Sequence, residues 1–125
     1  MLARYKIYRG KPSADAQRPE GIRQDTRKHT RHCLRPPTKI VLEYLANPST
    51  ETWKEFKASY LRCLEDRWEG DSTPFDDLAD LAIAENVYLG CSCPTAKNPD
   101  VQRCHTVLAL KFMKGRYPDL KVEFP

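Results

Sequence analysis

The stretch VYLGCSCPTAKNPDVQRCHTVLALKFMKGRYPDLKVEF, residues 87–124, decides the fold. Val87-Tyr88-Leu89 is short and apolar, suited to a buried strand that ends at Gly90-Cys91. After a loop over residues 92–98, Asn98-Pro99-Asp100 reads as a helix start. The helix is expected to run to Lys114, with Gly115 as its C-cap. Leu120-Lys121-Val122-Glu123-Phe124 then alternates as a final strand. Strand, helix and strand within this span make a βαβ unit, whose strands should be parallel and joined by a right-handed crossover.

Working outward toward the N-terminus, Thr73-Pro74 starts a helix with Pro at its first position and Asp76 and Asp77 near the positive end of the dipole. Phe75, Leu78, Ala79, Ala82 and Ile83 form its expected buried side, and Asn86 breaks it. Before it, Ser49 or Thr50 caps a helix in which Trp53, Phe56, Tyr60, Leu64 and Trp68 recur at spacings of three, four, four and four. That stripe has the period of a face packed on a sheet, so it reads as core and not as a cofactor box. A shorter helix begins at Thr38 and carries Ile40, Val41, Tyr44 and Leu45. Residues 4–8 alternate as a first strand, ended by Gly10 and Pro12. Between them, residues 11–37 read as a long basic loop rich in Pro and Arg. The expected architecture is α/β: a small, mostly parallel sheet of about three strands packed with about four helices, in a single domain spanning residues 1–125.

Composition agrees. A chain of 125 residues with 40% apolar content can bury one core and has no length for a second domain of ordinary size. No run of about 18 apolar residues exists to span a bilayer. The N-terminus shows no apolar segment with a cleavage site, so nothing marks the chain for export and a cytoplasmic location is expected. Five cysteines, an odd number, with ten prolines and five glycines, do not suit a disulfide-stapled secreted scaffold. Free thiols or a metal site are the expectation. The net charge is +4, and residues 23–35 carry five cations against Asp25 alone, so the rest of the chain sums to zero. The molecule is polar between regions and is not a uniformly basic nucleic-acid binder.

Chemistry-bearing residues concentrate in Cys91, Cys93, Cys104 and His105, at the carboxyl end of a predicted strand and the start of the next helix, where ligands of open α/β sheets sit. Three readings stay open. In the first they hold zinc, since Cys-x-Cys followed by Cys-His supplies enough donors for a tetrahedral site. Adjacent helical residues point about 100° apart, however, so His29, His32 or Cys33 from the basic loop is an alternative donor beside three cysteines. In the second, Cys104 or Cys91 is a reactive thiol near Arg103 and a helix N-terminus, with His105 as acid, base or hydrogen-bond partner; Cys104 and His105 are then the catalytic candidates. In the third the residues only pack: Val101, Cys104, Leu108 and Phe112 fall at helical spacing, which would make Cys104 a small core residue. Cys63 reads as structural. Arg27, Lys28, Arg31 and Arg35, with Arg103, are candidates for holding an anion. A phosphate-containing ligand or nucleic acid is the partner they would suit, set against a plain solvated face.

Trp53-x-x-Phe56-x-x-x-Tyr60 on a helix, a Leu-Ala helix, a Val-Tyr-Leu strand ending in Cys91, and Cys104-His105 entering an apolar helix together resemble the bacterial family called domain of unknown function 488. Lys6-Ile7-Tyr8 fits its first strand, and the similarity covers roughly residues 38–114. The Gly-Cys-x-Cys and Cys-His pattern is also similar to another uncharacterised family, which draws attention to Cys93. The resemblance implies a compact α/β fold with a parallel sheet and carries no established activity with it. The leading expectation is thus a ligand or metal site in the Cys91–His105 loop, of open enzyme class. The alternative is a nucleic-acid or nucleotide-phosphate module using residues 23–35, with structural cysteines.

Overall fold

The computed structural model describes residues 1–8 and 18–125. Strands β1 (Leu2–Lys6), β2 (Ile22–Asp25) and β3 (Val87–Cys91) form a parallel sheet in the order β1-β3-β2. The helices are α1 (Thr38–Ala46), α2 (Thr50–Gly70), α3 (Thr73–Ala84) and α4 (His105–Arg116), with a 3₁₀ turn at Val101–Arg103. The expected α/β class is therefore observed. No helix among the described residues is long and apolar enough to cross a membrane.

Several boundaries differ from the sequence expectation for physical reasons. The first strand lies at Leu2–Lys6 and not 4–8, because Leu2 is fully buried and aligned with Val87. Gly10 and Pro12, its expected stop, lie outside the described residues. The long basic loop contains β2, which has one apolar residue, Ile22, and hence no period to read. It is held as a strand by its neighbour: Ile22 N–H donates to Asn86 O at 2.9 Å and Thr26 N–H to Gly90 O at 3.1 Å. Gly21 feeds this strand at a φ of 136°, where a Cβ would stand 2.7 Å from Asn86 O, so glycine is required. The closing strand shrinks to a parallel bridge between Leu2 and Val122, on the far side of β1 from β3. The helix expected from Pro99 is interrupted: Asp100 caps the 3₁₀ turn by accepting from Gln102 N–H, and Cys104 is extended before α4 begins at His105. Gly115 lies inside α4, whose C-cap is Tyr117.

Helix α2 begins as its sequence requires, with a capping box in which Ser49 Oγ accepts from Thr52 N–H and the Thr52 side chain accepts from Ser49 N–H. Its Phe56, Tyr60 and Leu64 are buried, together with Phe75, Leu78, Ala79 and Ala82 of α3 and most of α4. The aromatic stripe is core: Trp53 stacks on Phe56 at 5.2 Å, and the Tyr60 hydroxyl donates to Leu34 O at 2.5 Å. Strand register decides what the helices meet. Leu2, Val87 and Ile22 align, then Arg4, Leu89 and Gln24, and Lys6 pairs with Cys91. Alternation puts these residues on one side of the sheet, the side on which Leu2, Val87 and Leu89 are fully buried. Cys91 is therefore the last residue of the core face of the central strand.

Candidate metal centre

Cys91 arrives at the carboxyl edge by strand alternation, Cys93 follows two residues later in the loop, and Cys104 sits at the N-cap of α4. Their sulfur atoms all lie within 4.8 Å of one another. All five cysteines are free, and Cys91 and Cys104 are buried while Cys93 is half-buried. Because Cys104 is extended and not helical, its thiol turns back toward β3; packing alone, as in the helical reading, does not describe its position.

Hydrogen bonds converge on these sulfurs. The Thr106 hydroxyl donates to Cys104 Sγ at 3.1 Å, and the Asn98 side-chain amide donates to Cys93 Sγ at 3.4 Å and to Arg103 O at 2.8 Å. Asn98 is buried and receives the Tyr44 hydroxyl at 3.3 Å. Arg4 reaches over from β1, donating from Nη2 to Cys93 O at 2.6 Å and from Nε to Thr106 Oγ1 at 2.9 Å. The Cys104 and Cys91 thiols, followed by Asn98, lower the pKa of Cys93 by hydrogen bonding its sulfur, and this outweighs its burial. Cys91 is pushed up by its contacts with the Cys104 and Cys93 thiols and by burial. For Cys104 the contact with Cys91 pulls down, but Cys93 and burial prevail and raise it. The cluster thus favours one thiolate shared among three sulfurs.

His105 is buried at the first residue of α4, with its ring edge-on to Tyr60 at 5.9 Å. Nε2 lies 2.9 Å from Thr26 Oγ1 and Nδ1 lies 3.9 Å from Cys104 Sγ. Burial lowers its pKa to about 4, so the ring is neutral at pH 7. His105, His32 and Cys33 are not part of the 4.8 Å set. His32 Nδ1 accepts from Leu34 N–H at 3.0 Å while Nε2 contacts Gln24 Oε1 at 2.6 Å. Burial raises the Cys33 thiol to about 11.

Three of the candidate anion-binding residues, Arg27, Arg35 and Arg103, are engaged with acceptors of the protein. Arg27 is tied to Asp25 through a bidentate pair at 2.8 and 3.0 Å, and Arg35 donates to His32 O at 3.1 Å. Burial alone would raise Asp25, but Arg27 brings it below its ordinary value. Lys28 is half-buried and Arg31 exposed. Arg103 donates to Thr50 Oγ1 at 3.0 Å, pinning the 3₁₀ turn to the start of α2.

Four residues at the centre were not singled out by sequence reasoning: Arg4, Thr26, Asn98 and Thr106. Asn98 carries a visible signal, a polar residue before Pro99, but that signal reads as a helix start. Arg4 had none, because its role depends on strand register. No protein-family model, curated protein or solved structure matches the chain.

Proposed function

We propose that this chain is a metal-binding α/β domain in which Cys91, Cys93 and Cys104 hold zinc as thiolates. The observation that carries the reading is the set of three sulfurs within 4.8 Å of one another, at the carboxyl edge of the central strand. Tetrahedral zinc with Zn–S bonds of about 2.3 Å places its sulfurs roughly 3.8 Å apart, so closure requires only a small contraction. Thr106 and Asn98 already present donors to two of the sulfurs, the outer contacts that orient metal-binding thiolates. Three thiolates on Zn²⁺ leave one negative charge, which Arg4 and the positive end of α4 offset. The metal ties the 92–104 loop to β3 and α4. The resemblance to domain of unknown function 488 is proposed on the Cys91 and Cys104-His105 motif and assigns no reaction.

Metal analysis of the reduced chain purified without chelator tests the reading, with Cys93→Ser and Cys91→Ser in parallel. One zinc per wild-type chain, lost in both variants, is expected. A folded wild type without stoichiometric zinc refutes it.

The phosphate or nucleic-acid reading of residues 23–35 ranks second. Arg23, His29 and Arg31 are exposed. Arg27 and Arg35, however, spend their donors on Asp25 and on His32 O, which reduces what they offer a phosphate.

A further inference from the structure

We infer that His105, through Nδ1, is the fourth protein ligand of the three-thiol centre, so that the chain itself closes a Cys₃His set. This inference rests on the metal reading above and deepens it by deciding whether the fourth position belongs to the protein.

The hydrogen bonds fix which ring nitrogen carries the proton. Thr26 Oγ1 lies 3.0 Å from Gly90 O and 2.9 Å from His105 Nε2. A carbonyl oxygen can only accept, so the hydroxyl proton belongs between Oγ1 and Gly90 O. Turning it toward Nε2 would leave two oxygens facing each other at 3.0 Å with no proton between them. Oγ1 therefore accepts, Nε2 carries the hydrogen, and the lone pair is on Nδ1. That lone pair has the Cys104 thiol as its neighbour, at 3.9 Å, inside a site where His105 is only 6% exposed. A ring N–H anchored on an oxygen, with the other nitrogen free toward thiols, is the arrangement that holds a ligating histidine in its tautomer.

His32 fails the same test. His32 Nδ1 receives Leu34 N–H, so its Nε2 must be the protonated donor to Gln24 Oε1, and neither nitrogen has a free lone pair. Cys33 lies beside His32, its Sγ 3.9 Å from His32 Nδ1, whereas His105 Nδ1 stands at the same distance from a thiol of the set itself. For His105 the remaining requirement is a closing movement, since its ring nitrogens lie outside the 4.8 Å set of the three sulfurs and only Cys104 Sγ is already near Nδ1. Zinc bonds of about 2.3 Å to sulfur and about 2.0 Å to nitrogen place these atoms roughly 3.5 Å apart, against the 3.9 Å present. The orthogonal-direction objection to adjacent Cys104 and His105 also lapses, because it assumes that both are helical and Cys104 is extended.

The test uses the full reduced chain, labelled with ¹⁵N and loaded with one equivalent of ¹¹³Cd, and reads scalar coupling from the metal to imidazole nitrogens. Coupling to Nδ1 of His105, with Nε2 protonated, is expected. Stoichiometric cadmium without imidazole coupling, or coupling at His29 or His32, overturns the fourth-ligand inference and leaves the thiol centre standing. Failure to bind cadmium overturns both. Independently, Thr26→Val should weaken zinc binding about 10- to 100-fold at unchanged stoichiometry, while Thr26→Ser retains it. Equal affinity in the valine variant and wild type counts against the inference.

Discussion

Acidification from about pH 7 to about pH 5 should destabilise the metal-free chain by about 4 kcal/mol through two histidines. His32 and His105 are both depressed to about 4, in each case chiefly by burial. An unfolded histidine titrates near 6.5. Between those values the unfolded chain binds a proton that the folded chain refuses, so the stabilisation is complete above the unfolded value and is lost as pH falls. By about pH 5 each histidine has cost about 2 kcal/mol, and below about pH 4 the loss approaches about 3 kcal/mol apiece. Asp25, which Arg27 holds below its ordinary value of 3.8 against the effect of its own burial, contributes its loss only at still lower pH. A loss of about 4 kcal/mol is a large share of a typical domain's total of about 5–15 kcal/mol. Urea unfolding with chelator present, at the two pH values, reads the effect directly. His32→Gln should remove about half of the pH-dependent loss, since it deletes one of two buried histidines that contribute about equally. An unchanged urea midpoint between the two conditions, or a His32→Gln variant with the full wild-type pH dependence, would refute the reasoning.

Gly90→Ala should cost about 1–3 kcal/mol, because a Cβ there stands 2.6 Å from Ile7 Cδ1 and 2.8 Å from Tyr5 Cε1; thermal unfolding checks it, and wild-type stability would show that those side chains yield freely. Tyr60→Phe should cost about 1–3 kcal/mol by leaving the buried Leu34 carbonyl without its hydroxyl partner, measured by chemical denaturation at constant m. Thr106→Val removes both the donor to Cys104 Sγ and the acceptor of Arg4 Nε, and should lower zinc affinity about 10-fold or more in a competition titration against a chromophoric chelator, with far less effect on apo stability.

The elements legible in the sequence are those whose own residues carry the period. Helix α2 shows its buried stripe from Trp53 onward and its cap at Ser49, and β3 shows as an apolar run, because each carries its buried pattern in its own residues. Strand β2 is the opposite case: Ile22-Arg23-Gln24-Asp25 has no strand-like alternation, and its conformation follows from backbone bonds to Asn86 and Gly90, some 64 residues away. The final strand failed in the other direction. Its alternation is present, yet Leu120–Phe124 reaches the sheet only at Val122, beside Leu2. Alternation supplies a suitable side-chain pattern but no partner.

The centre divides along the same line. Cys91, Cys93 and Cys104 could be named together because thiols are rare and their position after a strand is suggestive, but the helical period made Cys104 look like ordinary packing. One local event reverses that reading: Asp100 caps a 3₁₀ turn, the chain leaves it extended at Cys104, and α4 starts one residue later. Had the helix run unbroken from Pro99, the Cys104 backbone would be helical and its thiol would lie in the row with Val101, Leu108 and Phe112. The break therefore moves Cys104 Sγ out of that row and into the set of three close sulfurs. It also places Thr106 where its hydroxyl bridges Arg4 to Cys104. A variant that forces helix through this point should thus damage metal binding more than stability. Asp100→Ala, which removes the cap from Gln102 N–H at an exposed site, is the mildest such change, and an unaltered zinc affinity in it would detach the break from the function of the centre.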